Sequence, residues 1–98
     1  MEWIAFVKKE NVKKVEEILK NDEIASKQSI KVRDAKSLGF EEDGSFFLIN
    51  GTEEGIEKCK ELVKEFIEEM EKEKLEEAKK KIMDEEEKAM EGFGNIFG

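Results

Sequence analysis

The sequence predicts an α+β fold of order β-α-β-β-α, a two-layer sandwich with a long C-terminal helix. Three observations predict it. An unbroken apolar run occupies residues 3–7, an alternating run at 29–34 leads into a second apolar run at 45–49, and apolar residues at helical spacing follow the first and last of these.

"WIAFV" (3–7) is rich in aromatic and branched residues and suits a strand that is central or covered on both faces. Asn11 is placed to cap a first helix, in which Val12, Val15, Ile18 and Leu19 recur until "ND" at 21–22 ends the pattern. "SIKVRD" (29–34) alternates, with Ile30 and Val32 on one face and Lys31 and Arg33 on the other. Asp43-Gly44 then makes a turn into "SFFLI" (45–49), whose lack of charge marks a central strand.

Asn50-Gly51 ends that strand, Thr52 caps a second helix, and Glu53 and Glu54 sit where a helix N-terminus favours negative charge. Ile56, Cys59, Leu62, Val63, Phe66, Ile67 and Met70 form one stripe. Beyond "EKEK" (71–74) the stripe thins to Leu75, Ala78, Ile82, Met83, Ala89 and Met90, with Glu76–Lys80 and Glu77–Lys81 at ion-pair spacing. One helix over 53–91 would run about 58 Å at ~1.5 Å per residue, against a body roughly 30 Å across. It must overshoot or break. No Pro or Gly interrupts residues 56–91, so overshoot is expected, with "EKEK" as the alternative hinge. The expected organisation is a compact domain at 1–70, a charged helical extension at 71–91 and a Gly/Phe tail at 92–98.

The element order resembles a ferredoxin-like fold lacking its last strand. That resemblance implies that the third strand lies between the first two, both helices cover one face, and the outer edge of strand one is open. The unit "FFLINGTEEGIEKCKELV" (46–63) resembles the strand-glycine-helix half of RNA-binding KH domains, but the GXXG loop with which those domains clamp RNA is missing. As a whole the chain resembles small uncharacterised α+β proteins of archaea in size and composition, a likeness that implies no function.

Of the 98 residues 45% are charged, and the formal net charge is −8. Residues 1–52 carry ten acids and nine bases; residues 53–98 carry sixteen and nine, so the acidity belongs to the second half. Such a surface repels phosphate backbones and anionic lipid, so neither nucleic acid nor membrane is an expected partner. The Lys/Glu bias, with no Pro, His or Tyr, is that of thermostable proteins carrying surface ion-pair networks. "MEWIAFVKK" is too short and too early charged for a signal peptide, and no apolar run approaches a membrane span, so a cytoplasmic location is expected.

Chemistry is sparsely signalled. Cys59 lies on an apolar helical stripe with no His in the chain to activate it, and neither a phosphate-binding glycine loop nor a Ser-His-Asp set is present. The protein is therefore expected not to be an enzyme and to need no cofactor. Glu41, Glu42 and Asp43 gather oxygen ligands at a hairpin tip and make a candidate weak calcium or magnesium site if Thr52, Glu53 or Glu54 converge on them. "GFGNIFG" (92–98) sets Phe93, Ile96 and Phe97 among glycines after a highly charged stretch, and each would contribute roughly 1.5–3 kcal/mol if buried. The expected function is a non-catalytic protein-interaction module that docks a partner, or a second copy, through its acidic arm and this tail. The alternative is a small cation-binding protein using loop 41–43. With no sustained heptad in the arm, a monomer or homodimer is expected.

Overall fold

Two strands that are apolar on both faces dictate the architecture. In the computed structural model, which describes the backbone of residues 1–97 and the side chains of residues 1–88, β1 (Glu2–Lys8) leads directly into α1 (Lys9–Asn21). The chain continues through β2 (Ser29–Asp34), β3 (Gly44–Asn50), α2 (Glu53–Val63), β4 (Ile67–Glu68) and α3 (Lys72–Phe97). The sheet is antiparallel throughout, in the order β2-β3-β1-β4. The α+β class and the long C-terminal helix stand as the sequence predicts.

Side chains alternate across the pleat, so β1 and β3 each supply two cores. Trp3 and Val7, with Phe47 and Ile49, meet Val15 and Leu19 of α1 and Ile56, Cys59 and Val63 of α2. Phe6, Phe46 and Leu48 face the other way, against Leu75, Ala78 and Ile82 of α3. On that side the Phe6 and Phe46 rings meet edge to face, with centroids 5.3 Å apart. The structure therefore has three layers, helices lying on both faces of the sheet, where the sequence suggested two. The reason is energetic: one layer of helices would leave the second apolar face of β1 and β3 in water.

The missing last strand is present, in two residues. β4 pairs antiparallel with β1 through Phe6↔Glu68 and Val7↔Ile67, which completes the β-α-β-β-α-β order of the ferredoxin-like arrangement. The expected single helix from 53 onward breaks at residues 64–71, ending at the first residue of "EKEK" and without Pro or Gly. Ile67 packs on the α1/α2 core and Met70 on the α3 core, so this segment carries the chain around the sheet edge. Residues 72–86 form a layer of the fold instead of an extension. Lys31 and Arg33 of β2 reach across to Glu86 and Glu85 at 2.7 and 3.3 Å, and Lys79 reaches Glu2 at 2.7 Å.

Asn11 does not cap α1. The helix starts at Lys9, directly after Lys8 at the end of β1, and the carbonyl of Asp43 accepts the Lys9 N–H at 3.1 Å, taking one of the donors that a cap would serve. Thr52 does cap α2, its hydroxyl oxygen accepting the Gly55 N–H at 3.0 Å.

Ile82 is fully buried and lies ten residues into α3. Ile82→Ala should lower unfolding stability by about 2–5 kcal/mol in urea titrations, with the denaturant slope retained. A change below about 0.5 kcal/mol, the level of an exposed position, would mean that α3 does not cover the sheet.

Candidate functional site

The acidic loop that made a candidate weak cation site is tied to neighbouring lysines. Lys74 of α3 donates a short hydrogen bond to Glu42, which holds that carboxyl below its ordinary range and raises the lysine. Asp43 lies 3.6 Å from Lys36, while its backbone carbonyl holds the start of α1. Glu41 is exposed. Thr52, Glu53 and Glu54 lie past the far end of β3, about 20 Å away at ~3.3 Å per strand residue, so they do not converge on the loop. Among the described residues no group of three His, Cys, Asp or Glu side chains is placed to share a metal ion.

Cys59 sits in the α1/α2 core, where burial pushes the thiol up and the charge of Asp22 adds to the effect; a raised thiol is a poor nucleophile. The glycines of the KH-like unit have a packing role. A Cβ on Gly51 would fall 1.8 Å from Oε1 of Gln28, and one on Gly55 2.2 Å from its Cδ. Gln28 lies across this turn, accepting the Thr52 N–H on Oε1 and donating from Nε2 to the Ile24 carbonyl. Phe93, Ile96 and Phe97 fall within the helical span of α3, and their side chains lie outside the described residues.

The feature these expectations only grazed is the edge of β1. Met1 and Gly51 exchange both backbone hydrogen bonds, at 2.9 and 3.0 Å, and the register continues unbroken from Glu2↔Asn50 to Lys8↔Gly44. In an antiparallel ladder such pairs alternate. Residues 3, 5 and 7 therefore bond to β3, while Glu2, Ile4 and Phe6 direct their N–H and C=O groups to the outer side. Phe6 meets β4 there. Glu2 and Ile4 meet no strand among the described residues.

β2 forms the opposite edge, and it is guarded. The Ala35 N–H donates to the Gly44 carbonyl at 2.8 Å, so by the same alternation Ile30 and Val32 face outward. The guanidinium of Arg33 donates to the outward carbonyl of Val32 at 3.0 Å. Charged side chains and occupied carbonyls discourage strand addition. The open half of β1, "EWIA", has Glu2 as its one charged residue, and Glu2 is engaged by Lys79.

A cleft of about 510 Å³ runs beside Trp3, Ile4, Ala5 and Phe6, with Ile67, Met70 and Leu75 completing its apolar lining. The Lys60 ammonium lies 5.9 Å from the centre of the Trp3 ring. A second cleft of about 520 Å³ shares residues 68–71 and continues past Lys8 to Glu10, Glu42 and Asp43. Together they are lined by six carboxylates and two lysines, and both lysines are taken up, Lys8 by Glu68 at 3.4 Å and Lys74 by Glu42. No protein-family model, curated protein or solved structure matches the chain. The reading of function rests on this edge and its cleft.

Two measurements check this geometry. In native-state hydrogen exchange, the amides of Trp3, Ala5, Phe6 and Val7 should exchange slowly and those of Glu2 and Ile4 quickly; equal protection of Ile4 and Ala5 would refute the assigned ladder phase. Because Glu42 is lowered and Lys74 raised, their bond stabilises the fold fully above pH 4.5 and below pH 10.5. Glu42→Gln should therefore lower Tm at neutral pH. The gap from the parent should close as pH falls below the first value or climbs past the second, and a pH-independent gap would disconnect the loss from this pair.

Proposed function

We propose that the protein is a non-catalytic interaction module that takes up an extended segment of a protein partner at the open half of β1. One observation carries the reading: beyond the end of β4 the outward backbone groups of Glu2 and Ile4 meet no strand among the described residues, and an apolar-lined cleft of about 510 Å³ lies beside Ile4. Strand addition supplies affinity through main-chain hydrogen bonds, and pockets for alternate side chains supply selectivity. β4 already occupies this line beside Phe6 and Val7, so an added strand would continue it toward Glu2.

The sequence-based expectation assigned docking to an acidic arm and a Gly/Phe tail. Interaction remains the proposed role, but the first half of α3 is committed to the sheet, and the open edge of β1 is the better supported surface. A calcium or magnesium site at Glu41, Glu42 and Asp43 would have to displace Lys74 and Lys36. The absence of His from the chain and the burial of Cys59 favour a role without covalent or acid-base chemistry.

The test is selection of random linear peptides on the full chain, followed by hydrogen-exchange mapping of those that bind. Binders should slow exchange at the Glu2 and Ile4 amides. Binders that protect only other surfaces, or a selection that yields none, would remove the proposal.

A further inference from the structure

We infer that the segment taken up by β1 is basic, presenting an apolar side chain opposite Ile4 and lysine or arginine beside the carboxylates of Glu69 and Glu71. This rests on the proposed strand addition and names the chemistry of its partner. Residues directly opposite one another in an antiparallel pair point to the same side of the sheet. A residue opposite Ile4 therefore enters the side lined by Leu75 and Met70, where an apolar group fits. Residues opposite Trp3 and Ala5 point to the other side, where Trp3 offers an aromatic surface.

The linker between β4 and α3 sets the charge. Glu69 and Glu71 are both exposed, both line the cleft, and pair with no lysine or arginine among the described residues. The lysines that line the adjoining cleft are engaged by Glu68 and Glu42, and although Lys74 also feels Glu71, six carboxylates against two lysines leave the two clefts negative. An incoming cation meets a negative field with low-dielectric walls, whereas an incoming carboxylate is repelled. The same field argues against a second copy as occupant. Edge-to-edge pairing of two β1 strands would bring two such linkers together in a chain of net charge −8.

The experiment titrates the full chain with three short peptides and reads fluorescence of Trp3, the chain's only tryptophan. One peptide alternates lysine with valine, one alternates glutamate with valine, and the third is the lysine peptide N-methylated on alternate amides. The lysine peptide should bind at least about tenfold more tightly than the glutamate peptide at low salt, with the gap narrowing as salt screens the field. N-methylation of the edge-facing amides should abolish binding. Glu69→Lys combined with Glu71→Lys, at exposed positions where the fold should tolerate them, should reverse the charge preference.

Equal binding of both charged peptides, with Glu2 and Ile4 protected, would overturn the basic preference while leaving strand addition intact. Binding that ignores N-methylation, or protection confined to other surfaces, would overturn both. A dimer in sedimentation with those two amides protected would make a second copy the occupant and overturn the inference in that way.

Discussion

Everything else in this molecule depends on the fact that β1 and β3 are apolar on both faces. A strand with one apolar face is content with one layer of helix. Here Phe6, Phe46 and Leu48 are fully or nearly buried on the side opposite Phe47 and Ile49, and each large side chain left in water would forgo roughly 1.5–3 kcal/mol. The chain must therefore pass from one face of the sheet to the other after α2. The shortest route is around the free side of β1, and two residues of β4 are what that passage leaves in the sheet. The open half-edge and its cleft are thus by-products of covering the second face: the segment that could have completed the edge turns away at Glu69 to start α3.

The sequence revealed what is local. Both apolar runs, the alternation of β2, the Thr52 cap and the stripe of α2 could be read directly, because each repeats with its own element's period. β4 could not. Phe66, Ile67 and Met70 extend the spacing of Ile56, Cys59, Leu62 and Val63, and nothing in that spacing separates a longer helix from a bend that sends Ile67 and Met70 to opposite cores. The break at 64–71 is decided by tertiary burial and carries no glycine or proline to announce it. The same limit applied to the candidate cation site. A density of carboxylates at 41–43 is visible in any reading, but the lysine that holds Glu42 is 32 residues away, and its approach exists only once α3 folds back. For the edge, topology alone indicated that strand one is open. Which of its residues turn outward depends on the phase of the ladder, fixed by the reciprocal bonds between Met1 and Gly51, and no pattern in "EWIA" encodes it.

Charge in this chain does two separable jobs. On the α3 face, Lys31, Arg33 and Lys79 cross layers to Glu86, Glu85 and Glu2. Being partly exposed, such pairs contribute modestly to stability, but they are spaced along β2, β1 and α3 so that a slip of one residue would mismatch them, and they fix how the helix lies on the sheet. At the linker, Glu69 and Glu71 form no such ion pair among the described residues, and in the proposed strand addition their charge acts on what approaches.

The two edges show how these jobs combine. β2 offers apolar Ile30 and Val32 outward but intersperses Lys31 and Arg33, one of which closes a carbonyl with its own side chain. β1 offers Trp3, Ile4 and Ala5 without an intervening charge, an arrangement that invites pairing with any strand. The carboxylates therefore stand beside the edge and not on it. From there they leave the backbone of Glu2 and Ile4 accessible while raising the cost of approach for another copy of this acidic chain. An edge that is chemically open but electrostatically selective differs from one that is merely unfinished, and in the proposed reading the placement of Glu69 and Glu71 makes that difference in β1.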